Sequence, residues 1–289
     1  MNRKKLIAFS ISLAMTVVPV TPAAAAGAEQ NTEGLQNAVL DLEFENSLED
    51  SSGKGNNGTL SSGEAEYVDG VVGKGLKMNG SSYVNLGNST DLQPENLTLS
   101  FWIRPDSDMK GEELISWNKN EWYTDGWYLS SENDNTPLTL SVGPAKTNGQ
   151  PYRVSVSGKR SEFLPTGEWT HIAVTYDKDS KEICFYRNGV KCSTVTTYGI
   201  SGESTGVLGS DATMEKSIGY NGPKYKGAYL KASLDEYQLY NDVATPEEVI
   251  ALYEESGQTF DRKAVAQADL DKISIPETTQ ENLSLPTTG

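Results

Sequence analysis

Short runs in which apolar and polar residues strictly alternate set the tightest limit on how this chain can fold. In VLDLEFE (39–45), Leu40, Leu42 and Phe44 alternate with Asp41, Glu43 and Glu45. LTLSFWI (97–103), WTHIAVTY (169–176) and SLDEYQLY (233–240) repeat the pattern. A period of two suits a half-buried strand and is out of phase with the 3.6-residue turn of a helix. Clusters of Gly, Asn, Asp and Ser break these runs at short intervals. Asn188-Gly189, between ICFYR and VKCSTV, predicts a hairpin. One helix is expected near the end, where Thr245 is an N-cap, Pro246 takes the first helical position and Glu248 completes a capping box before VIALY. Many short strands and one terminal helix predict an all-β, two-sheet sandwich.

Composition narrows the partners. The 289 residues hold 40 Asp+Glu against 24 Lys+Arg, a net charge of −16. Such a surface repels a polyanion, so nucleic acid is excluded as a partner class. Two Cys and one His leave little material for a zinc site or a Cys–His nucleophile pair. Residues 1–26 read as a secretory signal peptide: Arg3, Lys4 and Lys5 begin it, an apolar stretch from Leu6 to Val18 follows, and small residues Ala23 to Ala26 end it. Nothing beyond it is long and apolar enough to insert in a membrane after cleavage. Polar residues 258–272 read as a linker.

Five segments, in order, resemble the laminin-G-like group of the concanavalin A-like lectin/glucanase superfamily. They are LEDSSGKGNNGTL (48–60), DGVVGKGLKMNGSSYVNL (69–86), LTLSFWIRP (97–105), GEWTHIAVTYD (167–177) and ASLDEYQLYNDVATPEEVIALY (232–253). The resemblance covers residues 37–257. It implies an antiparallel jelly-roll that binds sugars or partners, commonly with calcium and usually without catalysis. The last residues, LPTTG, resemble a sortase signal, while Ala266 to Gly289 resembles the start of an immunoglobulin-like module of bacterial carbohydrate-active enzymes. Residues 258–289 are therefore expected to be a linker and a partial C-terminal module. The expected setting is a secreted or cell-surface, Gram-positive-like protein with further domains in the same polypeptide. The expected function is glycan or glycoconjugate binding. A glucanase-type hydrolase and a wall-attached adhesin are the alternatives.

Candidate sites follow from side-chain chemistry. Calcium takes six to eight oxygens on a chain that bends tightly. Asp50, Asn56 and Asn57 offer side-chain oxygens, and Gly53 permits the bend. Asp235 alternates with Tyr237 and Leu239, which puts a carboxylate on an apolar face in need of a cation or hydrogen-bond donors. The resemblance implies calcium ligands in both segments; the other reading is an Asx-rich turn and an aspartate held by backbone N–H groups. Asp41, Glu43 and Glu45 share one strand face and are expected to be solvated, so no catalytic residue is assigned. His171 is expected to be structural. Trp117 and one of Trp127 or Tyr128 are assigned to the core. Trp122 and Tyr123, with Asn118 and Asp125 nearby, form a candidate sugar platform, and Tyr220 and Tyr225 repeat that mixture. The alternative is that these aromatics cap the end of the sandwich. Cys184 and Cys192 flank the hairpin. A two-residue turn sends their sulfurs to opposite faces, and a three-residue turn sets them opposite each other as a candidate disulfide.

Overall fold

The computed structural model describes residues 35, 36, 38–106, 113–119, 126–142, 152–196, 215–220 and 229–265. The candidate signal peptide and residues 266–289 lie outside them. Among the described residues, two antiparallel sheets face each other. The larger contains β1 (Ala38–Leu42), β3 (Glu66–Asp69), β4 (Lys74–Asn79), β6 (Leu97–Pro105), β11 (Thr170–Tyr176), β12 (Glu182–Arg187), β13 (Val190–Thr196) and β15 (Lys231–Tyr240). The smaller contains β2 (Thr59–Leu60), β5 (Val84–Asn85), β7 (Glu113–Lys119), β8 (Gly126–Ser131), β9 (Thr139–Val142), β10 (Tyr152–Ser155) and β14 (Ser217–Ile218). Strand order is β13-β12-β11-β6-β15-β4-β3 in the first, with β1 also on β15, and β10-β9-β8-β7-β14-β5-β2 in the second. This is the two-sheet sandwich that the alternation predicted, in the antiparallel jelly-roll form that the resemblance implied.

The alternating apolar residues meet between the sheets. Leu40, Leu42, Phe101, Ile103, Leu129 and Leu239 are fully or almost fully buried in one cluster. Trp127 joins them and donates its indole N–H to the Leu92 carbonyl at 3.1 Å. Trp117 and Tyr128 are also buried but belong to the opposite face of their strands, where they pair across β7–β8 and stack at 5.3 Å.

Strand β15 changes neighbour part-way along. Its first residues pair with β4, and Tyr237 to Tyr240 pair with β1. Between them its register on β6 slips from Asp235 to Gln238, and Glu236 has φ 46°. This bulge overturns the expected alternation. Leu234, Tyr237 and Leu239 face the core, whereas Asp235 pairs with Trp102 on the other side of the sheet. An extra residue in a strand reverses every face after it.

A one-turn helix α1 (Arg160–Phe163) precedes β11, and that other side of the larger sheet is covered by helix α2 (Pro246–Glu255). Its N-cap is built as expected: Thr245 Oγ1 accepts from the Glu248 N–H, and Glu248 Oε2 accepts from the Thr245 N–H at 2.8 Å. Such a cap contributes about 1 kcal/mol. Val249 packs with Ala173, Cys184, Tyr186 and Ala244 in a second, smaller apolar cluster.

The hairpin takes the two-residue turn. Arg187 pairs with Val190, while Asn188 and Gly189 have φ of 49° and 78°. A register shift then follows between Phe185 and Tyr186, so Cys184 lies opposite Thr194. The candidate disulfide does not form: Cys184 and Cys192 are free, one buried and one exposed. The two-residue turn, with the bulge behind it, leaves Cys192 out of register with Cys184.

Candidate functional site

Three tyrosines from distant parts of the chain stack at the β5–β14 end of the smaller sheet. Tyr83 enters β5, Tyr220 follows β14 and Tyr229 precedes β15. The Tyr220 and Tyr229 rings are 4.5 Å apart and nearly parallel at 6°, and Tyr83 lies 5.0 Å from Tyr220. Tyr83 and Tyr229 are partly exposed, and Tyr220 between them is buried. Burial pushes the phenols of Tyr83 and Tyr220 above their ordinary range, with Glu215 adding to it at Tyr83 and Tyr229 at Tyr220. They stay protonated, able both to donate and to accept at a hydroxyl-rich ligand. An aromatic edge with phenolic hydroxyls matches the apolar C–H face and polar rim of a sugar ring.

Of the platform residues nominated from sequence, Tyr220 is in this stack. Trp122, Tyr123, Asp125 and Tyr225 lie outside the described residues. Asn118 is corrected: it is 1% exposed, on the same strand face as Trp127. Its Nδ2 donates to Ser116 Oγ at 2.9 Å, and its backbone carbonyl accepts from Gln93 Nε2. A bulge between Leu114 and Ser116 sets this phase. Sequence reading missed Tyr83 and Tyr229, because a tyrosine beside a short strand carries no local sign of the rings it will meet.

The nominated metal residues occupy two separate places. Asp50 Oδ1 accepts from the N–H groups of Asp41 and Ser52, both at 2.9 Å, and Oδ2 accepts from Asn56 at 2.8 Å. Burial alone would raise its pKa, but hydrogen bonds from Ser52, Asn56 and Asp41 outweigh it and hold the carboxyl below its ordinary value. Asn57 Oδ1 accepts from Asp50 N–H, and Asn56 Nδ2 donates to the Val39 carbonyl. Gly53 makes the bend with φ 82°. The loop's nominated side chains are thus engaged with backbone groups.

Asp235 is fully buried at the β3–β4 turn. Its Oδ2 accepts from Val71 and Val72 N–H at 2.7 and 3.0 Å, and Oδ1 accepts from Glu236 N–H. A Cβ on Gly70 would sit 2.4 Å from Oδ2, so this carboxylate reaches the turn only past a glycine. Glu45 meets the same turn, accepting from Lys74 N–H at 3.3 Å. Burial pushes Asp235 up to about 6 despite its three donors. Burial, and then the charges of Asp235, Asp41, Glu43 and Glu45, push Glu236 up to about 8. Asp41 is corrected as well. It is 5% exposed rather than solvated and accepts from Gln238 Nε2, because β1 lies against β15.

Carboxylate oxygens crowded at a buried turn suit a hard cation in kind. Among the described residues, however, no three His, Cys, Asp or Glu side chains converge as a metal-holding group. The side chains that come nearest to fitting are Asp235 and Glu45, which both accept from backbone N–H groups of this one turn. The loop at Asp50 fits less well.

His171 is buried beneath α2. Its ring lies 5.3 Å from Trp102 and 5.7 Å from Tyr253, and its Nε2 is 2.9 Å from Ser100 Oγ. Burial depresses its pKa to about 3, so the imidazole is neutral. A void of about 10 Å³ beside it, lined also by Glu236, Gln238 and Glu255, holds at most one water.

Residues 78–250 match the family model described as Concanavalin A-like lectin/glucanases superfamily. A search of curated proteins gave no match. Several solved structures are similar. Domain 4 of AbnA, a GH43 extracellular arabinanase from Geobacillus stearothermophilus in complex with arabinotriose, is 22% identical with a TM-score of 0.58, over 76% of this chain and 100% of that one. The binding domain of Paraclostridial Mosquitocidal Protein 1 is 22% identical with a TM-score of 0.56, over 76% and 52%. A botulinum neurotoxin type C structure, described by cell entry dependent upon interaction with two ganglioside molecules, is 16% identical with a TM-score of 0.58, over 77% and 52%. The chain spans about half the length of these toxin domains. At such identities the shared property is the fold.

Proposed function

The chain belongs to the Concanavalin A-like lectin/glucanases superfamily, and from that premise we propose that it is a non-catalytic module that binds glycans through the Tyr83–Tyr220–Tyr229 stack. The observation that carries the reading is a parallel aromatic pair flanked by a third ring, with two of the three partly open to solvent. The sugar-binding relatives named above support it at the level of the superfold. The hydrolase alternative is weaker, because Asp41 is tied to Gln238 and Glu45 to the β3–β4 turn rather than paired across a cleft. In the same reading the chain is secreted or displayed on a bacterial surface, where it raises the local concentration of an attached catalytic domain at its polymer.

The test is affinity electrophoresis and calorimetry of residues 27–289 with arabinan, arabinotriose and sialylated or ganglioside oligosaccharides. Retention by at least one, lost in Tyr229→Ala, is expected. Binding unaffected by loss of any of the three tyrosines would overturn the site, and no binding to any glycan would overturn the function.

Calcium remains part of the proposal, placed at the Gly70–Lys74 turn with Asp235 and Glu45 as its side-chain ligands. A ligand that binds only the native state stabilises it by about 2.7 kcal/mol at a hundredfold excess over Kd. Millimolar calcium should therefore raise the Tm by several degrees, and Asp235→Asn should abolish the response. A metal-stripped protein that melts identically with and without calcium would remove the ion from this account.

A further inference from the structure

A pocket of about 120 Å³ lies on the far side of the molecule's larger sheet, between the outer faces of β11 and β12 and the turn that leads into α2. A closed cavity of roughly 150 Å³ holds a benzene molecule; this one is smaller but half open to solvent, so it takes one edge of a single small ring with the rest standing in its mouth. Its floor is Thr175, Cys184 and Tyr186, all at most 5% exposed. Val243, Ala244 and Pro246 form an apolar wall, and Ser180, Glu182 and Lys191 stand at the rim.

The charges around the pocket are already matched. Asp177 Oδ1 accepts from Asp179 and Ser180 N–H, and its Oδ2 accepts from Ser180 Oγ. Glu182 Oε1 accepts from Cys184 Sγ at 3.1 Å and lies 3.7 Å from Lys191 Nζ. A cation entering here would compete with Lys191 for Glu182, and an anion would compete with Glu182 for Lys191. A neutral ligand disturbs neither pair. The polar groups that face it are mainly hydroxyls. Ser180 Oγ, which already donates to Asp177 and accepts from Glu182 N–H, keeps one acceptor position, the Tyr186 hydroxyl is shared with Cys184, and Thr175 stands in the floor. A ligand hydroxyl therefore meets them chiefly as a donor. The apolar wall suits the C–H face of such a ring, and the Tyr186 ring adds aromatic surface.

We propose that this pocket is a second ligand site, separate from the tyrosine stack, that takes one neutral, ring-shaped polyol of monosaccharide size. Cys184 in its floor supplies a direct reporter. In a Cys192→Ser background, which removes the exposed thiol, methyl methanethiosulfonate should modify Cys184 slowly. Arabinose, galactose, N-acetylglucosamine or myo-inositol at about 20 mM, a range suited to weak single-ring binding, should slow that modification at least threefold for one or more of them. Val243→Phe fills the pocket from its wall and should abolish both the protection and the saturation-transfer NMR signal of the protecting sugar. Protection that persists in Val243→Phe, or the absence of protection by all four polyols, overturns the proposal. Protection by ethanolamine or inorganic phosphate without protection by any polyol overturns the neutral-ligand assignment. Polysaccharide retention is a separate readout: its loss in Tyr229→Ala with Cys184 protection intact distinguishes this site from the stack.

Discussion

Two aromatic assemblies of similar size have opposite fates in this molecule. Trp102 and His171, both at most 4% exposed, lie on the outer face of the larger sheet under α2, which brings its own half-buried Tyr253 against them. Tyr83, Tyr220 and Tyr229 meet beside β5 and β14, and two of those rings stay partly open. Ring chemistry does not separate them. The first assembly has an amphipathic helix in the sequence that must bury Val249, Ile250 and Leu252 against something. The second is assembled from three turns and strand ends, which bring no apolar face of their own to cover it. A covered stack adds to stability, and an open one keeps a surface for a ligand.

The hardest blow to the covered side is Val249→Asp. Val249 is fully buried in the cluster beneath α2. An unpaired carboxylate there should cost about 3–5 kcal/mol, visible as a lowered urea midpoint. A change below about 1 kcal/mol would mean that α2 is not docked as described. The matching blow to the open side is Tyr220→Ala, the middle ring of the stack. It should weaken glycan binding by about 1–3 kcal/mol in calorimetry while the melting temperature falls less than in Val249→Asp. The reverse ranking would make the tyrosines a core element and erase the contrast.

Acid separates the two assemblies more gently. Folded His171 titrates near 3, against an ordinary value of 6.5. The unfolded chain therefore takes up a proton below pH 6.5 that the folded chain refuses, and stability falls as pH drops through 6.5 toward 3. The slope is roughly 1.4 kcal/mol per pH unit well below 6.5. Glu236, which lines the same void, is raised to about 8 and acts in the opposite direction. The comparison must therefore be with His171→Gln, which leaves Glu236 in place. The stability advantage of the wild type over this variant should be constant above pH 7 and shrink from pH 6 to pH 4 in urea melts. A gap that does not change with pH would show that His171 titrates normally. The smallest effect is expected at the helix cap. Thr245→Ala should cost about 1 kcal/mol, measured by the same melts, without altering glycan binding.

Local signals carried the elements far and the site only part of the way. The runs at 39–45, 97–103 and 169–176 became β1, β6 and β11 with their apolar residues inward, since alternation and strand pleat share one period. Thr245 and Glu248 formed the capping box because all its atoms lie within four residues. Asn118 was misplaced because a bulge at residues 114–116 sets which way its strand faces. Asp235 was rightly expected to be buried, yet on the wrong face, because the bulge at Glu236 interrupts the alternation on which that reading depended.

By itself the sequence determined the class of fold, the place of the hairpin, the terminal helix and a strongly acidic net charge. Each of these rests on spacing or charge along a few residues of chain. Only the tertiary structure decided which strands bulge, that β15 passes from β4 to β1 at Asp235, that Asp235 and Glu45 reach one turn, and that Tyr83 stacks with Tyr220 and Tyr229. Those outcomes depend on contacts outside any local window, 29 positions apart for Glu45 and Lys74 and 164 for Asp235 and Val71, where the energy of meeting comes from packing and pairing with partners that no local pattern names.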